Sequence, residues 1–299
     1  MGTRGVFRFG GSPEAVSRAE DEALFALERV QLCCNLYDQA SELSRLNRTA
    51  AQRPFVCSPF LYDILREARR AWRESGGAFD VTAKPLLDLW GFYRKRAALP
   101  LETEIAAALG RVGLDKVHFD DAARSVFFRV PGMALDLGGI AKGYAVDRAF
   151  EAAARCGAAP LLVDVGGNLR MRTVGGRAFR IGLRDPLGGA TPVRTVSCRE
   201  GAFSTSGGYE RFVIYDGRRY PHILDPATGR PGTGVLAVTV EAASACEADW
   251  LSTAIFLRGA RLAEEFAANH TGCRIWLFAP ADAGPRSYRL TVFPVVPVP

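Results

Sequence analysis

Apolar residues recur at helical spacing in some segments of the chain and alternate with polar residues in others. Ser12-Pro13-Glu14 is typical of a helix start, because a capping serine precedes a proline at the first helical position. The pattern predicts that this helix runs to about Leu36. Its buried side is expected to carry Leu24, Phe25, Leu27, Val30 and Leu32.

Four further segments have helical patterning. Ser58-Pro59 repeats the start signal, and Gly76-Gly77 ends the helix that it opens. Ile140–Cys156 is predicted to be helical and to stop at Gly157. Two more helices are predicted near Cys246–Leu257 and Ala260–Asn269.

The remaining apolar segments are short and predict strands. Val117–Phe119 and Ser125–Val130 flank Asp120-Asp121 and predict a hairpin. Unequal blocks of helices and antiparallel strands favour an α+β fold, organised as a single domain over residues 1–299. The other predicted strands are Leu161–Val165 (broken at Gly166-Gly167-Asn168), several between Phe179 and Leu224, Val235–Val240, Cys273–Phe278 and Tyr288–Phe293.

The composition is that of a globular chain. It has 299 residues, of which 48% are hydrophobic and 23% are charged, so disorder and collagen-like repeats are excluded. The formal net charge is +6, and only four of the 38 basic residues are lysines. We interpret this excess of arginine as genomic bias. No nucleic-acid partner is predicted, because the arginines are dispersed and no aromatic-basic RNA motif accompanies them.

The ends of the chain and its cysteines bear on compartment. No run of 18 apolar residues is present, so no transmembrane segment is predicted. The first residues lack a secretory signal, which predicts a cytoplasmic protein, or a periplasmic or inner-membrane-anchored one if an export segment has been removed or mis-annotated. The seven cysteines form no CxxC pair and are expected to be buried free thiols.

Asp136–Tyr144 is the first candidate for chemistry. Its glycines allow backbone amides to approach an anion at the start of a helix, and Lys142 lies in the first turn of that helix, in reach of a phosphate. The spacing matches neither the dinucleotide GxGxxG nor a P-loop. A tight turn followed by a solvated lysine explains the same residues equally well.

Asp249, Ser252 and Thr253 form the second candidate. Positions i, i+3 and i+4 share one face of a helix, so their oxygens converge. Ligand sets made only of oxygen suit Mg²⁺, which usually binds one or two carboxylates and a substrate phosphate. Taken alone, hydroxyls bonded to their own helix backbone are the better explanation.

His222 is the third candidate, as a general base near neutral pH beside Asp225-Pro226. A lone histidine is more often a packed or capping residue, and His118 and His270 are interpreted as structural. The glycine-rich segments Gly77–Thr82, Asp164–Asn168 and Ser204–Tyr209 are turns as readily as sites, and no GxSxG elbow accompanies the serines.

Taken together and in this order, these segments resemble the ApbE family of flavin transferases. The resemblance extends over nearly the whole chain, and eight ordered segments are far more specific than any one of them. The matching pieces are Met1-Gly2-Thr3, Ser41–Asn47, Gly77–Thr82 continuing to Leu89–Phe92, Asp136–Asp147, Asp164–Asn168, Ser204–Arg211, His222–Pro231 and Ala248–Phe256.

The resemblance implies a T-fold-related α+β domain that binds FAD as substrate together with Mg²⁺. Such enzymes transfer FMN from FAD to a threonine or serine of an acceptor protein and release AMP. Acceptors are typically subunits of redox-driven ion pumps and related electron-transfer proteins. A Mg²⁺-dependent FAD pyrophosphatase and a non-catalytic FAD-binding protein are the alternatives.

Site residues are also implied by the resemblance. His222 is implied as the residue that activates the acceptor hydroxyl. The implied metal ligands are the Gly139 carbonyl, Asp249, Thr253 and Ser252. Flavin-nucleotide contacts are implied for Met1, Tyr37, Ala78, Phe79, Asp80, Asp136, Lys142 and Ile223. Two positions depart from the family pattern: Met1 is the first residue of this chain, and Gly208 stands where many relatives have a polar residue.

Overall fold

Helices and antiparallel strands make up the chain in the computed structural model, which describes residues 3–281 and 287–294. The α+β prediction is confirmed. The helices are α1 (Pro13–Cys34), α2 (Glu42–Thr49), α3 (Pro59–Glu74), α4 (Lys84–Leu89), α5 (Glu102–Leu109), α6 (Ala141–Arg155), α7 (Ala245–Arg258) and α8 (Ala260–Asn269). The strands are β1 (Gly5–Phe9), β2 (Phe55–Val56), β3 (Val117–Asp120), β4 (Ser125–Phe128), β5 (Leu161–Val165), β6 (Asn168–Arg172), β7 (Phe179–Leu183), β8 (Arg194–Cys198), β9 (Glu200–Gly207), β10 (Phe212–Tyr215), β11 (Arg218–Pro221), β12 (Ala237–Ala242), β13 (Arg274–Pro280) and β14 (Tyr288–Phe293).

Two groups of residues hold most of the contacts. The first, here called the sheet unit, comprises Met1–Val30, Ile140–Gly207 and Gly234–Pro299. The second, the helical unit, comprises Gln31–Gly139 and Gly208–Thr233. The two units differ in which residues pack together, and this does not show whether either folds independently. The single domain over residues 1–299 therefore stays a prediction.

A seven-stranded antiparallel sheet organises the sheet unit, with strand order β1-β5-β6-β9-β12-β13-β14. One core cluster joins this sheet to α1, α6 and the start of α7. Small residues fill it, among them Ala19 and Ala23 of α1 and Ala149 of α6, next to Val163 of β5 and Ala202 of β9. Alanines without long side chains let the helices approach the sheet closely.

The prediction for the buried face of α1 is wrong in part. Leu24, Phe25 and Leu32 are 55%, 58% and 59% exposed. The buried positions are Ala19, Ala23, Val30 and Cys33, and Leu27 is partly buried. Ranking positions by side-chain size chose the wrong face, because the neighbouring elements leave room only for small residues.

The break predicted after β5 is a hairpin turn. Gly166 and Gly167 have φ values of +63° and +87°, a backbone conformation that glycine adopts readily. Asn168 therefore does not extend the break but begins β6, which pairs with β5 through Val165 and Asn168. The sequence analysis missed this strand, because its arginines give it little apolar character.

The helical unit contains α2–α5, the sheet β2-β4-β3 and the hairpin β10-β11. The hairpin predicted around Asp120-Asp121 is confirmed as β3-β4. Trp90 lies in the core of this unit, where its indole nitrogen donates to Gly229 O at 2.8 Å and its carbonyl accepts from the Tyr215 hydroxyl at 2.9 Å. These bonds join the end of α4 to the second segment of the unit.

The prediction of buried free thiols is confirmed in part. All seven cysteines are free thiols, and five of them are buried, whereas Cys34 and Cys156 are half-buried. In residues 3–281 and 287–294, none of the helices has the length and apolar character needed to cross a bilayer.

Candidate functional site

Two helices cross near their first turns in the sheet unit, and this crossing forms the first candidate site. The Gly143 amide of α6 donates to Asp249 Oδ2 of α7 at 2.9 Å. A Cβ on residue 143 would lie 2.2 Å from the Ala245 carbonyl oxygen, so only glycine fits here. The glycine predicted to let an anion approach therefore also lets a second helix approach.

The Asp249 carboxylate is buried and faces a cation. It is 4% exposed, and Lys142 Nζ lies 3.4 Å from its Oδ1. Burial raises the pKa of Asp249, while Lys142, the Gly143 amide and the Ser204 side chain lower it. The Lys142 side chain is one-third exposed, whereas that of Asp249 is almost fully buried. The structure thus places the predicted phosphate-binding lysine beside the predicted metal ligand.

Hydroxyl groups gather at the backbone carbonyl of Asp249, one helical turn along α7. Ser252 Oγ and Thr253 Oγ1 donate to the Asp249 carbonyl at 3.0 and 3.3 Å, which is the backbone bonding expected from their helical positions. Both hydroxyls also lie near Ser206 Oγ of β9, at 2.8 and 3.2 Å. The helix therefore places the Ser252 and Thr253 hydroxyls side by side with Ser206 of β9, and Ser204 of the same strand lies near the Asp249 carboxylate.

This donor set fits a hard divalent cation such as Mg²⁺, because it consists of one carboxylate and several hydroxyl oxygens. The ammonium of Lys142 beside Asp249 shows that a positive charge is accommodated there. In the parts of the chain that the structure describes, no group of three or more His, Cys, Asp or Glu side chains could hold a metal, so any such ion depends on hydroxyl and carbonyl oxygens or on substrate. Gly139, whose carbonyl is a predicted ligand, is the last residue of the helical unit before α6.

A second buried carboxylate fixes the start of α7. Asp147 of α6 accepts the amides of Ala245 and Cys246 at 2.9 and 2.8 Å. Arg170 of β6 donates to the same carboxylate at 2.9 Å. Each helix thus has one carboxylate that accepts amide hydrogens of the other helix. Asp147 of α6 accepts them from α7, and Asp249 of α7 accepts one from α6.

Aromatic and cationic side chains form a second candidate site, in the helical unit. A cleft of about 550 Å³ is lined by Tyr37, Lys84 and Tyr93, among others. Tyr37 is 73% exposed, and its ring centroid lies 5.7 Å from that of Tyr93. Lys84 Nζ lies 4.4 Å from the Tyr93 centroid, and the Arg211 guanidinium lies 5.3 Å from it. Such a cleft suits a flat, electron-rich ring.

Asp136 is anchored to this aromatic group. Its carboxylate accepts hydrogen bonds from the Tyr93 hydroxyl and, at 2.8 Å, from the Gly138 amide. Burial and the neighbouring Asp136 raise the pKa of Tyr93, so the phenol stays protonated and donates. The structure therefore joins predicted residues Tyr37 and Asp136 through Tyr93, which the sequence analysis did not select.

Ala78, Phe79 and Asp80 lie in the loop after α3. Ala78 and Phe79 are buried, and the Phe79 amide donates to Ser75 Oγ at 3.0 Å. Asp80 accepts from Thr82 N and Oγ1 at 2.8 and 2.6 Å and from Leu114 N at 3.0 Å. Its carboxylate thus holds this loop in shape, and the predicted nucleotide contact stays a prediction.

His222 follows β11 and is half-buried. Its Nδ1 lies 3.1 Å from the Arg211 carbonyl oxygen, and its ring meets Phe92 edge-on at 6.3 Å. Because a carbonyl only accepts, Nδ1 carries the proton and Nε2 carries the lone pair. Ile223 is buried beside it, and its carbonyl accepts from Gly232 N at 2.9 Å. Met1, the remaining predicted contact, lies outside the described residues.

The sequence carried a signal for some residues that the analysis missed. Ser204 and Ser206 alternate along one strand, so a correct strand prediction would have placed both on one face. The role of Tyr93 had no such signal, since its bond to Asp136 joins positions 43 apart in the sequence.

Comparison with known proteins agrees with this arrangement. The model of the ApbE family matches residues 1–277, and the chain belongs to that family. Curated relatives named FAD:protein FMN transferase include those of Treponema pallidum (34% identical over 261 residues, 82% of this chain and 72% of the relative) and Salmonella typhimurium (34% over 237 residues, 77% and 68%).

Solved structures give the same result. The ApbE protein of Thermotoga maritima superposes with a TM-score of 0.84 at 31% identity, covering 95% of this chain and 97% of that one. A variant of the flavin transferase ApbE from Vibrio cholerae gives 0.85 at 28% identity, covering 98% and 94%. The predicted family, fold class and enzyme class are confirmed.

Proposed function

We propose that this protein transfers FMN from FAD to a threonine or serine hydroxyl of an acceptor protein, releasing AMP, in a Mg²⁺-dependent reaction. The observation that carries the proposal is the crossing of α6 and α7, where Lys142 meets the buried Asp249 carboxylate and the hydroxyls of Ser206, Ser252 and Thr253 gather at α7. Relatives named FAD:protein FMN transferase support the flavin substrate and the protein acceptor.

In this reaction the acceptor oxygen forms a bond to the FMN phosphorus, and the bond from that phosphorus to the bridging oxygen of the pyrophosphate breaks. The hydroxyl proton passes to a base, and the bridging oxygen leaves with AMP. When bound, Mg²⁺ neutralises negative charge on the pyrophosphate oxygens. Asp249, Thr253, Ser252 and the Gly139 carbonyl would hold the ion.

Lys142 adds a second positive charge for the phosphates. Its ammonium is partly exposed and lies in the first turn of α6, where the amides at the helix start also favour an anion. When a phosphate binds, Lys142 can break its ion pair with Asp249 and pair with the phosphate. Asp249 would still accept the hydrogen bond from the Gly143 amide.

His222 is the proposed base. The bond between its Nδ1 and the Arg211 carbonyl leaves the basic lone pair on Nε2, as a proton acceptor requires. A hydroxyl is a weak nucleophile until a base removes its proton, so loss of this imidazole should affect the chemical step.

Recognition of FAD is assigned to the cleft of the helical unit. Tyr37 and Tyr93 offer ring faces for a planar group, and Asp136 offers an acceptor for its polar edge. The loop 78–80 and Ile223 are further proposed contacts with the nucleotide. A subunit of a redox-driven ion pump, or a related electron-transfer protein, is the proposed acceptor.

The test is an incubation with FAD and Mg²⁺, with and without an acceptor domain that carries a flavinylation threonine. AMP is followed by chromatography and covalent flavin by in-gel fluorescence. We expect one AMP per attached flavin, and both only with acceptor. His222→Ala and Asp249→Ala should abolish both signals, whereas His118→Ala, an exposed histidine of the same unit as His222, should leave them unchanged.

Two results would overturn the proposal. Release of AMP at the same rate without acceptor would make the protein an FAD pyrophosphatase. FAD that stays bound and intact with Mg²⁺ and acceptor present would make it a flavin-binding protein without turnover.

A further inference from the structure

Asn168 is a buried polar residue whose amide oxygen has no hydrogen-bond partner among the described residues. The residue is 3% exposed, and Oδ1 is fully enclosed. An unsatisfied buried acceptor costs roughly 1–3 kcal/mol, so native structures seldom keep one without a ligand, an ion or an ordered water at hand.

The register of the sheet shows where this side chain points. Asn168 pairs with Val165, which packs with α6 in the core of the sheet unit. Arg170, two residues further on and hence on the same face, bonds Asp147 of α6. The Asn168 side chain therefore faces the helices and not the opposite face of the sheet.

The neighbouring strand brings Asn168 close to Asp249. Leu169 pairs with Phe203 in an antiparallel register, so Asn168 stands opposite Ser204. Opposed side chains have Cβ atoms about 5 Å apart. The Ser204 side chain in turn lowers the pKa of Asp249, so it lies close to that carboxylate. The unpartnered oxygen is thus one side chain away from the buried carboxylate.

A cation held at Asp249 can also satisfy the Asn168 oxygen, because only the Ser204 side chain separates the two acceptors, and the Lys142 ammonium bonds Asp249 but not Asn168 Oδ1. We infer that Asn168 Oδ1 is a further oxygen donor to the divalent cation held at Asp249, either directly or through one of the waters that Mg²⁺ retains. Neutral amide oxygens are ordinary ligands of Mg²⁺ and Ca²⁺. This inference rests on the metal site of the proposed function and adds a residue to it.

The test is a calorimetric titration of the full chain with Mg²⁺ or Mn²⁺ alone, in the absence of FAD. Asn168→Ala should weaken cation binding at least tenfold, as loss of a metal-supporting group does. Its melting temperature without metal should not fall, because an unsatisfied acceptor has been removed. Asn269→Ala, an exposed amide in the same unit, is the matched control and should bind as the wild type does.

Asn168→Asp provides a second, isosteric variant in case the alanine variant folds poorly. A carboxylate facing the cation should enlarge the rise in melting temperature that the metal causes, since a ligand that binds only the native state stabilises it. The inference is overturned if both variants bind the cation as the wild type does.

The Asp249→Ala variant distinguishes an error in the role of Asn168 from an error in the metal site of the proposed function. If Asp249→Ala loses cation binding and the Asn168 variants keep it, only the role of Asn168 is wrong. If the wild type binds no cation, or Asp249→Ala binds it unchanged, the metal site of the proposed function is wrong as well.

Discussion

Asp249 in the sheet unit and Asp136 in the helical unit are both predicted to contact the substrate or its metal, yet they are held in different ways. Asp249 is buried and fixed by a backbone amide at the crossing of two helices. Asp136 is half-buried and held by the hydroxyl of a tyrosine side chain and by the amide of Gly138, two residues away in the same loop. Backbone amides of packed helices cannot move without loss of packing, whereas a tyrosine can rotate. The difference indicates that the position of Asp249 is tied to the stability of the fold, while Asp136 can adjust to a ligand.

The largest effect is expected for Gly143→Ala. The added methyl group would lie 2.2 Å from the Ala245 carbonyl oxygen, which is backbone and cannot turn away. We expect a loss of about 3 kcal/mol or more in the free energy of unfolding, measured by urea denaturation, together with loss of cation binding. Gly110→Ala is the control, because its Cβ would have no contact closer than 3.5 Å. Wild-type stability of Gly143→Ala would show that the crossing is not rigid.

Asp147→Ala should come next. It leaves two amides of α7 and the guanidinium of Arg170 without this carboxylate, which we expect to cost about 3 kcal/mol. Cation affinity should fall with it, because the start of α7 carries Asp249. Glu151→Gln, which removes a more exposed partner of Arg170, is the control. A variant that loses stability but binds cation normally would separate the position of α7 from the metal site.

Tyr93→Phe tests whether Asp136 depends on the tyrosine hydroxyl for its position. The ring stays in the cleft, but Asp136 loses a hydrogen bond worth about 1 kcal/mol. We expect the KM for FAD to rise several-fold, with kcat and melting temperature nearly unchanged. Tyr288→Phe in the sheet unit serves as the control. A large fall in kcat at unchanged KM would assign Tyr93 to the chemical step and contradict the idea that Asp136 serves to adjust to a ligand.

Tyr37→Leu should have the smallest effect. Because the ring is 73% exposed, its removal should change the free energy of unfolding by less than about 0.5 kcal/mol. Loss of an aromatic face should weaken FAD binding by roughly threefold, in line with ~0.5–1.5 kcal/mol for aromatic pairs. Fluorescence titration with FAD measures this change, and unaltered affinity would remove Tyr37 from the binding site.

Local signals in the sequence predicted much of the fold. Ser58-Pro59 marked the start of α3, since a capping hydroxyl and a proline at the first helical position act within one turn. Strand β5 was predicted with its observed ends, because β-branched and apolar residues there are bounded by proline and glycine. Helices α2, α4 and α5 were missed, as they are at most eight residues long and offer little periodicity to detect.

The site was predictable only where its residues are close in sequence. Asp249, Ser252 and Thr253 share a helix face by spacing alone. Three other features depend on packing between segments that are distant in the sequence. They are the pairing of Lys142 with Asp249, the hold of Asp147 on α7, and the position of Asn168 opposite Ser204. Side-chain size also misled the analysis for α1, where alanines and not leucines face the core.

The crossing of α6 and α7 has a consequence for synthesis of the protein. Lys142 and Asp249 are 107 positions apart, and Asp249 lies in the last fifth of the chain. A ribosome-bound chain that already contains β5, β6 and α6 therefore has the lysine and the glycine-rich helix start but not yet the carboxylate that pairs with them. The crossing, and every property that depends on it, can form only after α7 has been synthesised.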